Sequence, residues 1–319
     1  MTMAKTRAPR NRTLSLDASE LELYKSRLLH LDTPASIEAV INRTIHGDIV
    51  DVAKYVPRAF VDLLILDPPY NLNKSFRSNS FSRMPIAEYS RWFEEWFVLL
   101  LPQLRPDASI YVCADWVTST AIHTVLDRHS IVRNRITWGR EKGRGAKVNW
   151  KNSMEDIWFC TMSDAYYFDL DPVKIRRKVL APYKENGHPK DWNETTGGNF
   201  RVTHPSNFWD DITIPFWSMP ENTDHPTQKP EKLIAKLILA SSAPGTVVFD
   251  PCCGSGTTPV VAKKLGRLYV GVEIDELYAC LTEKRLALAN DERRIQGFSD
   301  GIFWERNSAP PWSAVGDKT

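Results

Sequence analysis

The sequence predicts an α/β fold, a mostly parallel sheet covered by helices on both faces. Three observations carry that prediction. Short apolar runs alternate with stretches of helical spacing, as a doubly covered parallel sheet requires. Two of the runs, Val247-Val248-Phe249-Asp250 and Leu268-Tyr269-Val270-Gly271-Val272-Glu273, end in an acidic residue. Between them Pro251-Cys252-Cys253-Gly254-Ser255-Gly256-Thr257 turns from strand into helix, the layout of a nucleoside site at the carboxyl ends of strands.

In chain order, the expected strands are 44–48, 63–67, 109–114, a hairpin pair at 133–138 and 157–161, then 247–250 and 269–273. Helices are expected at 87–101, 233–240 and 260–265. The first of these places Trp92, Phe93, Trp96, Phe97 and Leu100 at helical spacing, so its aromatics are assigned to the core rather than to a substrate platform.

The run Val61 to Leu66 ends in Asp67-Pro68-Pro69-Tyr70. That set suits chemistry on an exocyclic amine, whose lone pair is delocalised into its ring and must be drawn out by hydrogen-bond acceptors before it can attack. Asp67 supplies a carboxylate. Pro68 and Pro69 supply carbonyls without competing N–H donors, and Tyr70 supplies a flat face for a nucleobase. Alone, the tetrapeptide reads equally well as a strand ending in a Pro-rich turn. Its pairing with the glycine turn is what makes it specific. A phosphate loop is excluded because Gly256-Thr257-Thr258 stands where Gly-Lys-Ser/Thr would be required, and the dinucleotide fingerprint lacks its third glycine.

In sequence order, Asp67-Pro68-Pro69-Tyr70-Asn71, His225-Pro226-Thr227-Gln228-Lys229-Pro230 and Phe249-Asp250-Pro251-Cys252-Cys253-Gly254-Ser255-Gly256-Thr257-Thr258 resemble the β class of amino-DNA methyltransferases. The resemblance covers about residues 44 to 290, and its motifs are specific in combination. It implies a circularly permuted Rossmann-like methyltransferase fold, with a seven-stranded sheet and an inserted target-recognition region. Such permutation is tolerated when termini lie close together at the surface. The implied activity is S-adenosylmethionine-dependent transfer of a methyl group to N6 of an adenine flipped out of a short DNA sequence.

The same resemblance assigns roles. Asp67, Pro68, Pro69 and Tyr70 become the catalytic set, with Asp67 and the Pro68 carbonyl accepting the amine hydrogens. Asp250 and the turn Pro251, Cys252, Gly254, Ser255, Gly256 and Thr257 would surround the methionine part of S-adenosylmethionine. Glu273 would take the ribose hydroxyls and Asp48 the adenine amino group, while Thr227 and Lys229 would approach the cofactor carboxylate. The family commonly carries an aromatic after its Asp-Pro pair, where this chain has Cys252-Cys253. A cytosine-N4 enzyme of the same class more often carries Ser at the position of Asp67. A non-catalytic DNA-binding module would have no use for Asp67, Tyr70, Asp250 and Glu273 together.

The formal charge of +2 does not by itself mark a nucleic-acid protein, so its distribution matters more. Lys5, Arg7, Arg10 and Arg12 read as a solubilising terminus. Arg140, Lys142, Arg144 and Lys147 lie in a glycine-containing stretch between the hairpin strands, read as a DNA-facing loop that neutralises phosphates. The aromatic, turn-rich stretch from Val173 to Thr223 is where base readers are expected, with Lys190, Asn199, Arg201 and Asn207 as candidates. Trp209 is assigned to a local core.

The expected division is therefore an N-terminal extension (1–40), a catalytic half (41–165), a target-recognition region (166–224), a cofactor-binding half (225–295) and a C-terminal tail (296–319). The length of 319 residues agrees with one enzyme domain carrying an insertion. Five cysteines without a Cys-x-x-Cys pair argue against structural zinc or a disulfide framework, and no metal is expected. Double-stranded DNA is the expected partner; a restriction endonuclease of the same site and a homodimer remain open. No apolar stretch of spanning length and no signal-peptide pattern are found, so a cytoplasmic, bacterial or phage-encoded enzyme is expected, without a membrane partner.

Overall fold

The structure, a computed structural model, describes residues 8–76, 79–140, 148–180, 183–195 and 198–305. Its main sheet has eight strands in the spatial order Arg43–His46, Leu268–Glu273, Val247–Asp250, Val61–Leu66, Leu104–Ala114, Met154–Thr161, Ile131–Gly139, Phe208–Trp209. Every neighbouring pair is parallel except those involving Met154–Thr161, which runs against both of its neighbours. The seven expected strands are all present. The eighth, Phe208–Trp209, is a two-residue addition at the edge beside Thr137 and Trp138.

Burial on both faces explains why the central strands are almost wholly apolar. Leu64 and Leu66 face one layer, with Tyr89, Phe93 and Phe97 of the helix Ile86–Phe97. Leu63 and Ile65 face the other, with Leu233, Ile234 and Leu237 of the helix Glu231–Ser241. Trp209 is buried in that second layer, and its indole N–H donates to the Ser206 carbonyl at 2.8 Å.

Every residue of the helix Glu231–Ser241 is buried, its apolar side chains sharing a core with Val260 and Val261 of the helix Thr257–Lys264 and with Ile175 and Phe303. Buried charges are tolerated only when paired. Lys236 is held by Asp211 at 3.0 Å and Lys232 by Asp211 at 2.6 Å, while Glu231 is held by Lys264 at 2.6 Å and Arg285 at 3.0 Å.

Two expectations about the ends of the chain need correction. A second sheet orders Asn193–Thr195, Gly198–Thr203, Ile175–Lys178, Ile302–Trp304 and Phe298–Ser299 side by side. Residues 298–304 are therefore not a tail but two strands built onto the inserted region, anchored by the fully buried Phe303 and by Lys232 donating to the Trp304 carbonyl at 2.8 Å. At the other end, the expected extension is joined to the body. Arg12 donates its backbone N–H to the Trp217 carbonyl at 2.7 Å, Leu14 bridges to Thr223 and Leu29 to Ile45. The helix Ala18–Lys25, started by an Asp17–Glu20 capping box, is tied to the helix Glu276–Leu288 by Lys284–Glu20 at 2.6 Å and Lys25–Glu276 at 2.9 Å.

Candidate active site

From Val247–Asp250 the sheet grows outward through Leu268–Glu273 to one side and through Val61–Leu66 to the other. The crevice outside the carboxyl ends of these strands is where such a sheet binds ligands. A cavity of about 410 Å³ opens there. It is lined by Asp67, Pro68, Pro69 and Tyr70, by Pro251, Cys252, Gly254 and Glu273, and by Asp48, Thr227 and Lys229. Two segments far apart in sequence thus form one site.

The tetrapeptide is pinned from behind. Tyr89 donates its hydroxyl to the Pro69 carbonyl at 2.9 Å, and burial pushes that phenol's pKa upward. Buried Asn71 pairs with Met84 in both directions, donating from Nδ2 to the carbonyl at 2.8 Å and accepting the N–H at 2.9 Å. The turn after the strand therefore has little freedom.

Lys229 reaches Asp67 Oδ2 at 2.6 Å, Tyr70 Oη at 3.2 Å and Glu155 Oε2 at 3.4 Å, with its ammonium 5.3 Å from the centre of the Tyr70 ring. Burial works against the ammonium, but the adjacent Asp67 and Glu155 carboxylates outweigh it and raise the pKa of Lys229. Burial and the same two carboxylates raise the Tyr70 phenol, which stays protonated. Lys229 lines the cavity, and its ammonium rests on the Asp67 carboxylate of the tetrapeptide.

Across the cavity, Glu273 accepts the Gly254 N–H at 2.8 Å through Oε2 and the Asp275 N–H at 2.9 Å through Oε1. Burial nevertheless pushes its carboxyl up to about 7, and likewise that of Asp250, which accepts the Cys252 N–H at 3.1 Å. Gly254 has φ +55 and a Cβ there would sit 2.9 Å from His225 Nε2; Gly256 has φ +79 and a Cβ there would sit 2.4 Å from Thr282. Only glycine satisfies both the dihedral and the space. Asp48 caps the helix Ile49–Val52 by accepting the Val50 N–H at 2.9 Å, with its carboxylate at the cavity edge. Asp250, Ser255 and Thr257 line a small adjoining void of about 30 Å³, so they stand behind the wall rather than on it. Thr257 supports Lys229 directly, donating to its carbonyl at 3.0 Å.

Comparison with known proteins agrees with this geometry. Residues 61–284 match a family described as DNA methylase, N6_N4_Mtase. The chain belongs to that family. This DNA methylase is 31% identical over 292 residues to the type II methyltransferase M.BglII of Bacillus subtilis, covering 84% of this chain and 79% of that one. It is 32% identical over 258 residues to the DNA adenine methyltransferase YhdJ of Escherichia coli K12, covering 77% and 83%. Its fold is shared with the M1.HpyAVI–SAM complex (TM-score 0.53, 21% identity, 76% of this chain and 98% of that one). It is shared equally with the cytosine-N4-specific PvuII DNA methyltransferase (TM-score 0.55, 17% identity, 84% and 95%). The protein is a DNA methyltransferase, and S-adenosylmethionine is its methyl donor.

On the methylase's expected DNA side, one assignment is corrected. Arg140 is mostly buried and forms an ion pair with Glu155, so its charge is spent inside the protein rather than offered to phosphate. Lys142, Arg144 and Lys147 lie outside the described residues. Lys190 and Arg201 are exposed on the inserted region, beside Glu185 and Asp191 at 3.4 Å each.

Sequence reasoning missed Glu155, Tyr89 and His225, and it placed Trp92 and Trp96 wholly in the core although both reach the cavity. The aromatic spacing on Ile86–Phe97 shows the buried face but not where that face runs past the sheet edge. His225 stands in the quoted His-Pro-Thr motif, where burial and the Lys229 charge depress its pKa to about 3 and keep it neutral. Glu155 carries no local signal at all.

Proposed function

We propose that the methylase transfers the methyl group to N6 of an adenine flipped out of double-stranded DNA. The observation that carries this reading is that Asp67 and Tyr70 line the same cavity as Glu273 and Gly254. The glycine cradle and the buried carboxylate suit a nucleoside with its hydroxyls and amino acid tail. When bound, S-adenosylmethionine supplies an already activated sulfonium methyl.

The chain's own residues then act on the amine. Asp67 accepts one N6–H: a carboxylate has about four lone-pair sites, and the Lys229 bond leaves acceptor capacity. The Pro68 carbonyl accepts the other, since the Pro69 carbonyl is already engaged by Tyr89. Two acceptors pull N6 toward a tetrahedral nitrogen with a directed lone pair. Tyr70, anchored through its hydroxyl by Lys229 and Glu155, presents its ring to the flipped base. Extrusion costs a few kcal/mol, recovered by stacking and by contacts to the base edge. Positioning supplies much of the rate.

Asp at position 67, together with the relative named as an adenine methyltransferase, supports adenine over cytosine. The inserted region with its added C-terminal strands, 166–224 and 298–304, carries base reading through Lys190 and Arg201. The type II relatives support a restriction endonuclease sharing the recognition site. Single-molecule sequencing and nucleoside mass spectrometry of DNA from cells expressing the gene test all of this. N6-methyladenine in one short motif is expected; N4-methylcytosine in its place overturns the choice of base.

A further inference from the structure

We propose that Glu155 is a positioning residue for methyl transfer, holding Lys229 and Tyr70 in place beside Asp67 through a buried charge cluster that Arg140 closes. The proposal rests on the reading of Asp67 and Tyr70 as the methyl-transfer site.

Glu155 sits near the start of Met154–Thr161, the one main-sheet strand that runs against its neighbours, and pairs in register with Trp138. Reversal puts the start of this strand, not its end, at the carboxyl edge of the sheet. Glu155 is 2% exposed, and a carboxylate so placed is costly unless its charge is matched and its lone pairs are used. Both conditions are met. Oε2 faces the site, receiving the Tyr70 hydroxyl at 3.2 Å and lying 3.4 Å from Lys229 Nζ. Oε1 faces away, in an ion pair with Arg140. Two carboxylates, Asp67 and Glu155, thus alternate with two cations, Lys229 and Arg140.

Glu155 does not line the main cavity but a void of about 60 Å³ behind it, with Trp138, Arg140 and Gln228. It therefore acts through other side chains. Lys229 lies between two carboxylates; with Glu155 neutral, its negative potential no longer offsets that of the ammonium at Asp67, which becomes a weaker acceptor for the amine. The Tyr70 hydroxyl also exchanges a charged acceptor for a neutral one, so one of its two anchors weakens and the ring it carries is held less firmly. The consequence falls on the chemical step, since neither effect touches Glu273 or Gly254.

The test is steady-state kinetics of Glu155→Gln, Glu155→Asp and Arg140→Gln in the full chain, with calorimetric binding of S-adenosylhomocysteine and thermal melting alongside. Misplaced reacting groups cost on the order of 10²-fold in rate. A loss of that order is expected in kcat for Glu155→Gln, with KM for DNA and affinity for S-adenosylhomocysteine unchanged, and with partial recovery in Glu155→Asp. Arg140→Gln should lower kcat in the same way, and the double substitution should cost little more than either alone. Wild-type kcat in folded Glu155→Gln overturns the proposal, as does a parallel loss of cofactor affinity. Should Glu155→Gln not fold, a folded Arg140→Gln with wild-type kcat overturns it equally. Asp67→Ala separates the two readings: an inactive Asp67→Ala beside a fully active Glu155→Gln defeats only the role of Glu155, while an active Asp67→Ala defeats the site itself.

Discussion

Lys229 and Asp67 are 162 positions apart in the chain, and their charged groups are 2.6 Å apart in the fold. The contact joins the motif before the helix Glu231–Ser241 to the end of the strand Val61–Leu66, so the two motifs form a single charged unit rather than separate cofactor and substrate devices. Pairing with a carboxylate offsets part of the cost of burying the Lys229 ammonium.

Asp67→Ala should abolish methyl transfer and leave cofactor affinity nearly intact, because Glu273 and the Gly254 turn are held by hydrogen bonds in which Asp67 takes no part. Positioned groups that handle a proton in the transition state contribute about 10²- to 10⁴-fold. Single-turnover assays with tritiated cofactor measure the loss; retention of a tenth of the wild-type rate would contradict the assignment.

Glu273→Ala should weaken S-adenosylmethionine binding, since charge-assisted hydrogen bonds contribute about 1.5 to 3 kcal/mol each. The pH dependence has a definite sign. Burial pushes the Glu273 carboxyl up to about 7, and Asp250 likewise, whereas a pair of ribose hydroxyl donors is met best by the ionised carboxylate. Affinity should therefore be level above pH 7 and fall below it, by about tenfold per pH unit for each proton that must be released. Glu273→Gln should bind weakly with a flatter profile, and calorimetry across pH 5.5 to about 8.5 reads both effects. An unchanged slope in Glu273→Gln would assign the titration to Asp250.

Tyr89→Phe should cost about 1 to 3 kcal/mol of stability, the penalty of a buried acceptor left without its donor. Its larger consequence is chemical. Tyr89 engages the Pro69 carbonyl, so its removal loosens the turn that aims the Pro68 carbonyl. Denaturant titration and kcat together test this; lost stability with unaltered kcat would make the bond purely structural.

DNA binding should divide between two regions. Neutralising Lys142, Arg144 and Lys147 together should weaken binding to target and scrambled duplexes alike and reduce the salt slope by about one unit for each phosphate no longer neutralised. Replacing Lys190 or Arg201 should cost about 1 to 3 kcal/mol on the target duplex and little on the scrambled one. Binding across a salt series in the presence of a cofactor analogue measures both. The opposite pattern would exchange the roles of clamp and reader.

The sequence by itself determined the strands, the glycine turn and the Asp67 tetrapeptide, because each is written in local periodicity or turn chemistry, and the reaction class followed from the resemblance that the order of those motifs carries. Apolar runs of strand length, residues with fixed φ and glycines at positive φ keep their meaning wherever the chain later goes. Only the tertiary structure decided which charges meet. Arg140 has the same composition-level signature whether it faces phosphate or Glu155, and the strand reversal that brings Glu155 to Tyr70 across 85 positions depends on sheet order, not on neighbouring residues. The same holds for residues 298–304, whose short strands become legible only once Ile175–Lys178 offers them an edge. A lone charge or a three-residue strand has no free-energy minimum of its own; its partner supplies one, and partners are chosen by the fold.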